Sequence, residues 1–213
     1  MFESGEKAFQ NGTTGLAAWV VGAMLFVGCS TPASLPPKIA TGLDGLRTEG
    51  VTVRGQIQKT TGTLKELMAN PQTDLNPQFQ SFSHELGVLE DRVGQAQQQR
   101  TVTESVVRDQ FMAWDKSLKQ LKNEESRQLA AIRRSTTEDT YSDIQQKIAE
   151  LRKESTPFLT DLRDIRQYLT EDLSKEGLET MNPTAQQVFD QEPSVIKRLD
   201  DVIDALNNAI KRN

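Results

Sequence analysis

The chain has 213 residues, 36% of them hydrophobic and 26% charged, which is enough for one domain with a modest core. A formal net charge of −5 and a pI near 5.1 argue against any general attraction to nucleic acid or to anionic lipid surfaces. A single cysteine excludes an internal disulfide and a cysteine metal cluster, and 6% aromatic content suits helices joined along narrow seams better than a thick sandwich core.

Residues 16–28, LAAWVVGAMLFVG, carry no charge and end directly at Cys29. At about 13 residues the run is short of the roughly 20 that span a bilayer, but it suits the apolar region of a secretion signal. Gly28 before Cys29, with Val27, Phe26 and Leu25 upstream, resembles a bacterial lipobox, at which the thiol is diacylated and the chain is cut. Phe26 stands where leucine is usual, and the leading MFESGEK sets Glu3 and Glu6 against Lys7, an unusual balance for a secretion signal. The alternative is an ordinary signal peptide or membrane anchor with an inert cysteine at its end. Acyl chains, at about 0.8 kcal/mol per buried methylene, would hold the mature chain on a membrane. Ser30 rather than an aspartate follows the cysteine, as in signals that permit transfer to the outer membrane. The expected organisation is a signal peptide over 1–28, a lipidated proline-rich tether over 29–37 and a helical bundle over 38–213. The expected location is the cell envelope, on the periplasmic face of the outer membrane.

Beyond the tether, Ile39, Leu43, Leu46, Val53, Ile57, Leu64 and Leu67 recur at spacings of four and three, with Gly50 and Thr60 filling the gaps. This heptad seam predicts a first helix over 38–68. Gly42, Gly45, Gly50, Gly55 and Gly62 each cost about 1 kcal/mol of helix propensity, so packing must hold it; a local strand over 51–57 is the alternative. The stretch 70–77 reads as a turn, with Asn76 as N-cap and Pro77 at the first helical position. A second seam then runs through Phe79, Phe82, Leu86, Leu89, Val93 and Ala96, and resumes at Val107, Phe111, Trp114, Leu118 and Leu121. Polar Arg100 and Thr103 interrupt it, which predicts local loosening or a register shift.

Near Asn123 the apolar phase breaks. Asn123 followed by Glu124 and Glu125 has the form of a cap with acids in the first turn, and a bend or hairpin tip is expected within 123–137. A third seam takes in Tyr141, Ile144, Ile148, Leu151, Phe158, Leu162, Ile165 and Leu169, with Ser155 its polar member and Pro157 expected to kink the helix. Gly177, Asn182 and Pro183 repeat the stop-and-start chemistry before a fourth helix lined by Val188, Val195, Leu199, Val202, Leu206 and Ile210. The expected fold is all-α: an elongated antiparallel coiled-coil-like bundle of three to four long helices. The second and third form a long hairpin of about 60 Å, with the first and fourth along its sides.

Groups that carry chemistry are sparse. The one histidine, His84, lies off the seam, and no HxxxH or ExxH spacing accompanies it, so no metal or catalytic role is expected. No nucleophile triad can be assembled, and no phosphate-binding loop or other cofactor motif is present. The acid pairs Glu124 with Glu125, Glu138 with Asp139 and Asp200 with Asp201 point about 100° apart on a helix and read as solvated faces. Arg133 and Arg134, near the expected tip, suit lipid head groups or peptidoglycan carboxylates, or else pair with Glu138 and Asp139. Phe111 and Trp114 are seam residues by spacing, and otherwise anchors for a partner. The residues singled out are therefore Cys29 for lipidation and Phe111, Trp114, Arg133 and Arg134 for partner contact. The chain ends Lys211, Arg212 and Asn213, without the terminal lysine that joins the major outer-membrane lipoprotein to peptidoglycan.

Trp114 with Asp115, then Asn123, Arg127, Tyr141, Pro157, Leu159, Asp164, Leu169 and Leu173, form a pattern over 114–178, about a third of the chain. The stretch resembles the bacterial lipoprotein family catalogued as DUF2959, a domain of unknown function. The resemblance implies a helical envelope lipoprotein and supplies no catalytic residues. The glycine-rich first helix departs from the acidic, alanine-rich one such a relative would have. The expected role is non-enzymatic: a structural spacer or protein-docking scaffold, held to the membrane through acyl chains on Cys29 and meeting an envelope protein or a second copy of itself. The alternative is a bundle that binds a lipid or other apolar ligand between its helices, with an unrecognised hydrolase further behind.

Overall fold

The computed structural model describes residues 35–211; the expected signal peptide, Cys29 and most of the tether, with Arg212 and Asn213, lie outside the described residues. Four helices follow one another, α1 Pro37–Ala69, α2 Asn76–Gln120, α3 Glu124–Glu171 and α4 Lys175–Lys211. There is no strand among the described residues, and 51–57 is helical. Every residue of the first seam is buried, including Gly50 and Thr60 in its two gaps. The apolar period thus outweighs five helix-weakening glycines, because each turn of α1 buries a side chain against a neighbour.

Each helix runs antiparallel to the next. Thr103 reaches Gly42 and Gln56 reaches Glu85 between α1 and α2, while Arg198 meets Glu150 and Gln191 meets Asp161 between α4 and α3. Arg54 with Asp200 and Thr61 with Glu192 join α1 to α4 and close the ring. α1 packs closely on α2 and α4, and α3 on α4. The expected α2–α3 hairpin is present in connectivity, but these two helices touch least of all neighbours. The bundle is held instead by the α1–α2 and α3–α4 pairs, joined along α1 and α4.

Two clusters fill the interior. The larger centres on Phe82, Leu86, Leu89, Phe158, Leu162 and Ile165, and the smaller gathers Leu35, Ile39, Leu43, Val107, Ile144 and Leu206 around the start of α1 and the end of α4. Gln56 and Thr103, buried between the helices, are satisfied: the Gln56 amide donates to the Glu85 carbonyl at 2.9 Å, and the Thr103 hydroxyl lies 3.2 Å from the Gly42 carbonyl and 2.9 Å from that of Gln99. At Gly42 a Cβ would sit 3.0 Å from the Thr103 methyl, whereas at Gly55 it would meet open space. Gly42→Leu is therefore expected to cost about 1–3 kcal/mol in urea unfolding by overpacking, and Gly55→Ala to gain up to about 1 kcal/mol. Equal effects at the two positions would contradict the close approach of α1 and α2.

Three boundaries differ from expectation. Asn76 is the first residue of α2 rather than its cap, and the Asp74 carboxylate takes the Asn76 amide at 3.0 Å. The α2–α3 turn is only residues 121–123, with Asn123 capping α3 through the Ser126 amide at 2.8 Å. The apolar phase is lost over 123–137 because that stretch has passed the end of the core, not because the helix stops. Gly177 and Pro183 likewise do not separate helices. The break falls at 172–174, Ser174 Oγ accepts the Gly177 amide at 3.0 Å, and α4 continues through Pro183 and Pro193. Burial of Leu178, Ala185 and Val188 on either side holds the turn from which Pro183 removes one donor.

Candidate functional site

Two features stand out from the packed bundle. The first is a cavity of about 360 Å³ between all four helices. α1 and α4 contribute Leu46, Val53, Ile57, Val195, Leu199 and Val202, all buried, while the exposed or half-buried lining residues come from α2 and α3. The mouth therefore opens between α2 and α3. Polar residues gather there: Gln97, Arg100 and Thr101 on one side, Arg152 and Ser155 on the other. The polar interruption of the second seam at Arg100 coincides with this opening, so the expected loosening takes the form of a void beside an unbroken helix.

Ion pairs clip α2 to α3 on both sides of the mouth. Glu90 receives Arg163 at 2.6 Å and Arg166 at 2.9 Å below it, and Asp115 receives Arg134 at 2.6 Å above it. Partial burial pulls the Glu90 carboxyl upward, but hydrogen bonds from Arg163 and Arg166, with their charges, outweigh it and hold the group below its ordinary value. With its folded pKa depressed, the carboxylate stabilises the fold above the unfolded value of about 4.3, and that contribution disappears as pH falls through the folded pKa. Solvent screens these pairs, so Glu90→Gln is expected to cost about 1 kcal/mol or less at neutral pH. Thermal unfolding as a function of pH should show the difference closing below about pH 4. A difference independent of pH would remove the charge from the account.

The second feature is an arm. With Gly42 level with Thr103, the start of α1 stands near Arg108, and the end of α4 stands near Glu138. α2 and α3 thus run about 20 Å further as a two-helix projection. Phe111, Trp114, Arg133 and Arg134 come together at its base. The two rings stack at 5.9 Å, Arg133 lies over Trp114 at 5.9 Å, and Arg134 lies over Phe111 at 5.1 Å while also pairing with Glu138 at 2.7 Å. These residues fasten the arm's helices together, which accounts for the half-burial of both aromatics. The exposed apolar side chains lie further out or on the other faces: Met112, Leu121, Leu129 and Ile132, the last 63% exposed. Sequence reasoning passed over Leu129 and Ile132, whose spacing of three on a stretch out of phase with the core was the available signal. Six basic against four acidic side chains make 109–137 locally positive in a negatively charged chain.

The remaining groups do not converge. His84 is exposed, Asp200 pairs with Arg54, Asp201 with Lys197, and no three His, Cys, Asp or Glu side chains among the described residues could hold a metal. Burial pushes the Tyr141 hydroxyl up to about 12, and Gln145 donates to it at 2.7 Å.

An up-down-up-down four-helix bundle with a side-opening apolar cavity and a projecting hairpin is the class these observations define. The family model described as "Protein of unknown function (DUF2959)" matches residues 47–212, and the chain belongs to that family. The match extends the resemblance seen over 114–178 to nearly the whole bundle. No curated protein and no solved structure matched the chain.

Proposed function

We propose that the protein is a non-enzymatic envelope lipoprotein, anchored through acyl chains on Cys29, whose helical body acts as a spacer and docking scaffold on the periplasmic face of the outer membrane. The observation that carries this reading is the placement of the arm: it projects from the end of the bundle at which α1 begins. Cys29 precedes Pro37 by eight residues, a reach of about 28 Å when extended. The arm projects about 20 Å in the same direction. An anchored bundle therefore holds the arm close to the membrane and presents the opposite end, with the turns at 70–75 and 172–174, to the periplasm. No helix among the described residues is long and apolar enough to cross a membrane.

Intact mass and fractionation of the full-length protein from a Gram-negative host, compared with Cys29→Ala, test the anchor. The wild type should carry diacylglycerol-type mass and sediment with membranes, and the variant should lose both. An unmodified wild type recovered in the soluble fraction would overturn it. The cavity favours a second reading, in which the bundle also holds an apolar ligand between its helices: its volume falls in the range of small-molecule sites and its walls are aliphatic.

A further inference from the structure

We infer that the cavity takes one straight hydrocarbon chain ending in an anionic head group, such as a fatty acid or a single-chain phospholipid; this rests on the second reading above. The lining spans Leu46 to Ile57 on α1 and Val195 to Leu206 on α4, so the void is about 17 Å long at the helical rise. The void is thus elongated along the helix axes, which suits an extended hydrocarbon chain laid parallel to them. The deep wall, from α1 and α4, is entirely apolar apart from the bare backbone at Gly50. The chain would replace an unfilled space with dispersion contacts along its whole length.

The head group is set by the rim. Arg152 is exposed at the mouth, and its guanidinium has no hydrogen-bond or ion-pair partner among the described residues. Arg100 across the opening pairs with Glu104 at 2.7 Å, leaving the rim with a positive excess. The Gln97 amide adds an uncharged donor, while the Thr101 and Ser155 hydroxyls donate to the Gln97 and Arg152 carbonyls. A carboxylate or phosphate at the end of the buried chain meets the exposed Arg152 guanidinium there, whereas a neutral head gains only the uncharged groups. Access requires little rearrangement, because the stretch between the Glu90 and Asp115 clips holds no ion pair between α2 and α3.

The test uses the purified full-length chain in a fluorinated surfactant, with cis-parinaric acid as the fluorescent probe and palmitate, hexadecanol and lysophosphatidylglycerol as competitors. Parinarate should bind with a rise in fluorescence, and the anions should displace it more strongly than hexadecanol. Whichever of palmitate and lysophosphatidylglycerol competes better identifies the source of the chain. Ala96→Phe fills the slot and should abolish binding with the helical circular dichroism retained. Arg152→Gln, at an exposed side chain that holds no contact of the fold, should weaken the anions about tenfold and leave hexadecanol unchanged. Equal competition by hexadecanol with no effect of Arg152→Gln would overturn the anionic head while sparing the apolar-ligand reading. Parinarate binding unaffected by a folded Ala96→Phe would place the site elsewhere and overturn the proposal, and absence of parinarate binding would sink both.

Discussion

Replacing Phe158 by alanine is expected to lower the unfolding free energy by about 3–5 kcal/mol, a large part of the total for a domain of this size. Phe158 is fully buried, sits among Phe82, Leu162 and Ile165, and forms part of the cavity wall. Its removal adds new void to an existing one, which the neighbours cannot close by small shifts because the α1 and α4 wall is already packed. Chemical unfolding followed by circular dichroism reads the effect directly. Leu129→Ala, at a side chain 62% exposed on the arm, serves as the contrast and should stay within about 0.5 kcal/mol of the wild type. A loss below about 1 kcal/mol at Phe158 would mean that the centre of the bundle is not packed as described.

The contrast between those positions also explains what could be read without coordinates. The first seam was legible down to Gly50 and Thr60, because a regular alternation of four and three leaves room for only one face. The Asn123 cap was legible for the same local reason: side-chain oxygen, backbone amide and two acids lie within one turn. What Gly177 and Pro183 do was misread, because breaker residues signal a boundary only when tertiary burial does not override them. Leu178, Ala185 and Val188 supply that burial in α4. The loss of phase over 123–137 resembled a bend, yet a helix extending past its core loses the same period while remaining helical. The cavity lay beyond the sequence, since Arg100 and Ser155 belong to different helices and only the α2–α3 spacing brings them to one opening. Of the residues proposed for partner contact, Phe111, Trp114, Arg133 and Arg134 do meet, but their pairing with one another turns attention to Leu129 and Ile132.

Replacing residues 113–134 by a four-residue turn should separate the arm's work from the bundle's. Every side chain over 121–129 is exposed and the Asp115–Arg134 pair would leave whole; the one buried group affected is the Thr137 hydroxyl, which loses the Arg133 carbonyl as acceptor at a cost of about 1 kcal/mol. The shortened chain should keep its Phe82, Phe158 and Leu162 core and unfold within a few degrees of the wild type. In cells, site-specific photocrosslinks from Leu129 and Ile132 should be strong in the full-length protein, and the truncated form should no longer retain the partners they capture. Apolar side chains left exposed on a locally positive projection lose nothing in stability when removed, so their energetic use must come from something outside the chain. If the truncation instead cost about 3 kcal/mol or more, the arm would be part of the fold, and the exposed Leu129 and Ile132 would need a different explanation.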